Sequence, residues 1–369
     1  MTGTLQGITV LDLSRLLPGP MASMILGDYG ARVITIDTMV GGGGAVTSTR
    51  LASLERHKEI LRINARSEKG HELLLDLVRR ADVVIESFKP GSDRAMGLDY
   101  ESLRAVNPAL VYCSITGYGQ TGPLSRMAGH DINFQGIAGI VDLSTPKGCD
   151  PVAPGVQTGD VMGGAMQAVI GVLLALYRRK QTGEGQFVDI AMADGLLPLL
   201  MLSVDMQRLG MPVRCGESIL GGALACYGFY RTADNRHLAV GALEAKFFAR
   251  LCAALGVPEL AGVQYDMSVQ DESRARLKEI FLKRTADEWE AMLGPLDVCV
   301  SKVATFEEVF ENSQFRARGM VDGGEIGVPV KQGAIDTREE RPVAKDAVLR
   351  ELGLSEVQID ELRAQGAVG

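Results

Sequence analysis

The apolar positions of this chain alternate between short strand-like runs and longer helical stripes, in regular order. Residues 8–13 (Ile-Thr-Val-Leu-Asp-Leu) have strand character. Pro18-Gly19-Pro20 then opens an apolar stretch, 21–29, that reads as a helix closed by Gly30. Residues 32–37 (Arg-Val-Ile-Thr-Ile-Asp) repeat the strand signal. A helix over 70–80 precedes a strand at 83–86, and one over 100–106 precedes a strand at 110–115. Strand and helix in alternation predict βαβ units with right-handed crossovers. The fold class expected is α/β, an open and mostly parallel Rossmann-like sheet.

The pattern changes after Asp194-Gly195. Residues 196–209 form a second apolar helix, and 210–222 are Gly-rich and read as a linker. A hairpin follows, with strands at 227–231 and 238–240 about a turn at Ala233-Asp234-Asn235. Helices over 246–255, 273–283 and 286–293 complete a smaller α+β domain. The tail, 349–367, is a polar helix pair with Ser355 as an N-cap. The expected organisation is a large domain from 1–200 and 330–369, a linker over 201–224, and a small domain over 225–329.

Composition narrows the class. The 369 residues suffice for two domains, and 46% hydrophobic with 23% charged positions suits a globular enzyme. A net charge of −8 with no basic tract argues against a nucleic-acid partner. Six scattered cysteines without CxxC spacing argue against a metal and suit free thiols in a reducing compartment. The first residues lack the basic and apolar regions of a secretory signal. The longest apolar run, 165–177, is shorter than the roughly 20 residues of a bilayer span. It reads as a buried core helix, so no membrane insertion and a cytoplasmic location are expected.

Two features carry candidate chemistry. Arg50, Arg56, Lys58, Arg62 and Arg66 form a local cationic cluster suited to phosphates. The glycine run 41–44 lacks the Lys-Ser/Thr that follows in a P-loop and reads as a loop. The second feature is a pair, His130 in Ala128-Gly129-His130-Asp131-Ile132-Asn133 and Asp160 in Thr158-Gly159-Asp160-Val161-Met162-Gly163. Imidazole and carboxylate are suitable groups for moving a proton on and off carbon. The alternative is that His130 caps one helix and Asp160 another.

Ordered strings along nearly the whole chain resemble the class III CoA-transferase and α-methylacyl-CoA racemase family. They include Pro18-Gly19-Pro20, Gly27-Asp28-Tyr29-Gly30-Ala31, Asn107-Pro108-Ala109-Leu110-Val111-Tyr112 and Gly117-Tyr118-Gly119-Gln120-Thr121-Gly122-Pro123. Gly183-Glu184-Gly185-Gln186, Met192-Ala193-Asp194-Gly195 and Gly241-Ala242-Leu243-Glu244 extend the match. The resemblance implies a Rossmann-like domain built from both chain ends and an interlocked homodimer. The substrate implied is an acyl-CoA thioester, with CoA part of the substrate and no tightly bound cofactor.

Gly-His-Asp-Ile-Asn resembles the racemase branch, in which His130 and Asp160 would work on opposite faces of the α-carbon and Glu244 would support His130. That implies an isomerase of 2-methyl-branched acyl-CoA epimers, in lipid metabolism. The alternatives are a CoA-transferase with Asp160 as nucleophile and, third, a non-catalytic subunit with weakened CoA binding. The family's arginine after the second strand is Thr38 here, and a second is Ala95. The CoA phosphates are therefore assigned to Lys58, Arg66, Lys89 and Arg94, whose long stems reach an anion from several backbone positions.

Overall fold

The structure is a computed structural model that describes residues 3–38, 51–331 and 346–369. The glycine run 41–44 and Arg50 lie outside the described residues. The chain divides into two compact units. One comprises 1–138, 154–198 and 325–369, the other 139–153 and 199–324.

The first unit is built on six parallel strands: β1 (Thr9–Asp12), β2 (Arg32–Asp37), β3 (Lys58–Arg62), β4 (Val83–Glu86), β5 (Val111–Thr116) and β6 (Gln186–Ala191). Their order across the sheet is β3-β2-β1-β4-β5-β6. This is the doubly wound order, with the chain reversing direction between β1 and β4. Leu11 of β1 pairs with Ile34 of β2 and Val84 of β4, and all three are buried. Burial on both faces is why these strands read as continuous apolar runs.

Helices α1 (Pro18–Asp28), α2 (Glu68–Arg80) and α3 (Tyr100–Val106) connect the strands. Helix α2 starts at Ser67, whose side chain accepts from the Gly70 N–H, and carries Glu68 in its first turn and Arg79 and Arg80 in its last. Its Leu73, Leu74, Leu77 and Val78 face the core, each worth about 1.5–3 kcal/mol of burial. The C-terminal segment joins the same core through Leu349, Ile359 and Val368, and Val368 bridges to Ile63 beyond β3.

Strand β3 is not predicted from the pattern, because its sequence, Lys-Glu-Ile-Leu-Arg, places two charges where a strand buries its side chains. Both are satisfied inside. Glu59 accepts two bonds from the Arg32 guanidinium at 2.6 and 2.8 Å, and Lys58 pairs with Asp12.

The run read as a buried core helix is different in kind. A π-helical stretch, Gly159–Met166, continues into α5 (Gln167–Thr182). Together they form 24 residues, apolar enough by length and composition alone to cross a membrane. Ala168, Val172 and Ala175 are buried, and the helix packs on β5 and β6. Ile170, Leu173, Leu174 and Tyr177 remain exposed. An all-round apolar helix touches the sheet with one face only, so the expectation of full burial is corrected.

In the second unit, β7 (Tyr227–Arg231) and β8 (His237–Gly241) form the antiparallel hairpin, with Asn235 at φ 64° in its turn. A third strand, β9 (Val300–Lys302), pairs with β8. Helices Ala245–Ala254, Gln270–Phe281 and Ala286–Leu293 enclose Phe248, Phe281 and Trp289. The segment 201–224, expected as a linker, holds helix Met201–Arg208 and belongs to this unit together with 139–153. Arg214 pairs with Asp142 at 2.7 Å, and the Cys215 N–H donates to the Leu143 carbonyl at 2.9 Å. Pro198 interrupts the expected helix over 196–209, leaving a 3₁₀ segment before Met201.

Candidate active site

A polar corner of the first unit lies where helix α4 (Asp131–Ile137) meets the π-helical stretch. His130 is the residue before α4, and its N–H donates to Asn133 Oδ1 at 3.0 Å. Aromatic packing holds the turn, with Phe134 buried and edge-on to Tyr118 at 5.2 Å. Tyr118 belongs to the Gly117-Tyr118-Gly119 loop after β5, so that loop and the His130 turn are fixed together.

Asp160 sits in the first turn of the π-helical stretch. Such wide turns recur at functional sites. The close approach of this segment to Met192 depends on Gly163, because a Cβ there would lie 2.2 Å from the Met192 carbonyl oxygen. The Asp160 carboxyl is half-buried and pushed up to about 6. Burial is the main cause, Asp131 adds to it, and His130 acts in the opposite direction.

Asp131 bridges the two elements. Its Oδ1 accepts from the Asp160 N–H at 3.0 Å, and its Oδ2 accepts from Gln135 Nε2 at 2.6 Å. The Val161 N–H donates to the Gln157 carbonyl at 2.9 Å. An oxyanion cradle from the backbone of 159–164 therefore excludes the N–H groups of Asp160 and Val161, because both are already paired.

A cavity of about 880 Å³ opens at the switch point between β1 and β4. Leu13 and Arg15 line it from the end of β1, Ala65 to Glu68 from beyond β3, and Ser87 to Lys89 from the end of β4. His71, Ala95 and Met96 close it. This is where doubly wound sheets bind ligands. Helix α1 follows the cavity-lining loop in the chain and packs against the Asp160 segment. The loop carrying Leu13 and Arg15 leads into Pro18, and a Cβ on Gly164 would lie 2.9 Å from the Pro18 Cβ.

The predicted phosphate ligands divide. Arg66 and Lys89 line the cavity, and Arg94 is exposed on the turn Ser92–Ala95 that borders it. Lys58 is placed elsewhere, which corrects that assignment. Its side chain is fully buried, with Nζ 3.3 Å from Asp12 Oδ2 and donating to the Pro20 carbonyl at 2.8 Å. Asp12 also accepts from Ser14 and Ser23. Arg56 is likewise engaged, bound through two nitrogens to Asp28. Of the cationic cluster, Arg66 is the one that lines the cavity among the described residues.

Arg15 and His71 are cavity residues that sequence reasoning missed. The signal for Arg15 was its place directly after β1. Thr38, read as a departure from the family's arginine, is buried and accepts from an Arg15 nitrogen at 3.2 Å. Glu244 lies in the second unit, exposed at the N-cap of Ala245–Ala254, where its carbonyl accepts from the Phe247 and Phe248 N–H groups. No cluster of metal-ligating side chains occurs among the described residues.

Comparison with known proteins gives consistent matches along the chain. The model of CoA-transferase family III matches residues 5–342. Human alpha-methylacyl-CoA racemase is 35% identical over 318 residues, covering 85% of this chain and 81% of that protein. Human succinyl-CoA:glutarate CoA-transferase is 31% identical over 362 residues, covering 92% and 82%. Among solved structures, a CAIB/BAIF family protein from Brucella suis superposes with a TM-score of 0.81 at 32% identity, over 95% of this chain and all of that one. With a parallel six-stranded sheet of the same architecture and a family match over most of its length, the chain belongs to CoA-transferase family III.

Proposed function

We propose that the protein is a racemase of 2-methyl-branched acyl-CoA thioesters, with His130 and Asp160 as its two bases. The observation that carries this reading is the corner itself: an imidazole beside a half-buried carboxyl pushed up to about 6, so that the carboxyl changes state near neutral pH. In one direction the Asp160 carboxylate removes the α-proton, and an enolate forms on the thioester. The His130 imidazolium then returns a proton to the opposite face of the α-carbon. That turnover leaves a protonated Asp160 and a neutral His130, the starting state for the reverse direction. The family resemblance alone supports giving Glu244 the role of assisting His130.

The cavity at the β1/β4 switch point suits the nucleotide end of CoA. Arg15, Arg66, His71 and Lys89 face it, with Arg94 at its border, and cations of this kind hold phosphates. No further cofactor is required by the chemistry, since the thioester itself acidifies the α-carbon. A second copy of the chain is proposed to cover exposed apolar side chains such as Ile170, Leu174 and Tyr177, in an interlocked homodimer. A cytoplasmic place in lipid metabolism fits this substrate.

The CoA-transferase relatives, at 31–32% identity over about nine-tenths of the chain, favour a second reading. In it, the Asp160 carboxylate attacks the thioester carbonyl and releases CoA thiolate, giving a mixed anhydride. The thiolate then attacks the aspartyl carbonyl, freeing the acid and leaving an aspartyl-CoA thioester for the acceptor. Incubation of a 2-methylacyl-CoA in deuterium oxide separates the readings. Deuterium at the α-position is expected. A hydroxylamine-trappable adduct at Asp160 without α-deuteration would overturn the racemase reading.

A further inference from the structure

We propose that Asp131 is a positioning residue for Asp160, gripping its peptide and holding a second negative charge against the reacting carboxyl. This rests on the reading of Asp160 as a reacting carboxyl, which the isomerase and transferase mechanisms share. An aspartate in the first turn of a helix ordinarily interacts with its own helix terminus. Asp131 instead turns one oxygen across to the peptide N–H of Asp160, 29 residues away, at 3.0 Å. Its other oxygen is held by Gln135 Nε2 at 2.6 Å, and Gln135 is buried, so the carboxylate has a fixed direction. The approach needs Gly159, where a Cβ would lie 2.9 Å from Asp131 Oδ1.

The electrostatic consequence follows from this geometry. The charged groups on elements packed against the π-helical stretch are Asp28 of α1, Asp189 of β6, Arg178, Arg179 and Lys180 near the far end of α5, and His130 and Asp131 of the α4 turn. Asp28 is paired with Arg56, and Asp189 accepts from the Gln120 N–H. The two that act on Asp160 are Asp131, which favours its protonated form, and His130, which favours the ionised form. Burial is the main cause that keeps the Asp160 carboxyl high; Asp131 adds to it and offsets the opposite pull of His130, so without Asp131 the carboxyl would take up its proton only at lower pH. Asp131 thus makes one backbone bond and one repulsion do separate work, one fixing where the carboxyl sits and the other when it is protonated.

The two roles separate by substitution. Asp131→Asn keeps an oxygen to accept the Asp160 N–H but removes the charge, whereas Asp131→Ala removes both. The readout is the pH profile of α-deuterium exchange in the direction where Asp160 removes the proton. In Asp131→Asn the rising limb should move to lower pH by about 0.5–1 unit, with the plateau rate within about threefold of the wild type. In Asp131→Ala the same shift should come with a plateau about tenfold lower or worse. Gln135→Met frees the other oxygen without touching the charge, so the plateau should fall while the limb stays. It serves as the readout if the Asp131 variants do not fold.

An unmoved limb and unchanged plateau in Asp131→Asn, with wild-type exchange intact, would overturn the proposal and leave the racemase reading standing. An unchanged plateau in Gln135→Met would overturn the positioning half. If the wild type shows no exchange but forms the hydroxylamine-trappable adduct, the racemase reading falls. The same limb shift, read from the rate of adduct formation, then decides the role of Asp131.

Discussion

Two carboxylates in the first unit occupy opposite electrostatic situations. Asp12, at the end of β1, is fully buried yet surrounded by donors: the Ser14 N–H and hydroxyl, the Ser23 hydroxyl and the Lys58 ammonium. Asp160 is less buried, but its neighbours are a like charge in Asp131 and an exposed imidazole in His130. Burial alone therefore does not mark a reactive group. A carboxylate whose lone pairs are filled is a structural tie between strands, and one left facing repulsion and solvent is available for chemistry.

The largest expected effect breaks the Asp160 side of the comparison. His130→Ala should lower racemisation about 10²- to 10⁴-fold, the usual contribution of a positioned acid–base group, with the fold unchanged by circular dichroism. Asp160→Asn should stop racemisation while leaving exchange on the face served by His130. Wild-type racemisation rates in the His130 variant would remove that residue from the mechanism.

On the Asp12 side, the damage should fall on stability instead. Lys58→Ala leaves a carboxylate buried without its cation and should cost about 3–5 kcal/mol in urea unfolding. The double variant Lys58→Met with Asp12→Asn should recover part of that loss, because both charges then go together. A loss under about 1 kcal/mol for Lys58→Ala would mean that the serine hydroxyls suffice for Asp12.

This contrast also explains what the sequence could and could not reveal. The strands at 32–37 and 83–86 and the helix at 100–106 were legible because a local apolar period specifies them, and the structure has them at those bounds. His130 and Asp160 stood out through their glycine frames. What escaped were pairings across long separations. Lys58 looked like a phosphate ligand because Asp12, 46 residues away, was invisible as its partner. Strand β3 escaped for the same reason, since Arg32 neutralises its Glu59. Asp131 drew no role of its own from the sequence, because its bond to the Asp160 peptide, 29 residues away, depends on how two helices meet. Arg15 escaped because no motif marks it, only its place after β1 at the switch point.

A smaller effect is expected on stability, where burial works against the ionised Asp160 carboxyl. The Asp160 carboxyl binds its proton more tightly in the folded state, about 6 against 3.8 for the ordinary side chain. Its favourable contribution is therefore complete below about 3.8 and is lost as pH rises through about 6. Asp160→Asn should thus be more stable than wild type at pH 7.5, by about 1–2 kcal/mol once solvent screening of a half-buried group is allowed for. The gain should shrink toward pH 4.5 in thermal unfolding. A variant less stable than wild type at pH 7.5 would place Asp160 with Asp12 as a structural tie.

The smallest effect concerns the cations of the cavity, which differ from Lys58 in being solvent-exposed. Arg66 and Lys89 reach the cavity from beyond β3 and from the end of β4. Exposed charges contribute little to folding, so Arg66→Ala should leave stability within about 0.5 kcal/mol of wild type. Against a bound phosphate the same charge is worth more, and the KM for an acyl-CoA should rise about three- to tenfold with kcat unchanged, the mark of a uniform binding contact. Arg66→Ala with Lys89→Ala should widen the gap, and added salt should narrow it because these charges are screened. The same substitutions should leave KM unaltered for a substrate truncated to an acyl-pantetheine thioester, which lacks the nucleotide phosphates. A KM that rises equally for both substrates would move the nucleotide away from this cavity, leaving Arg66 and Lys89 as surface charges and the switch point without its assigned ligand.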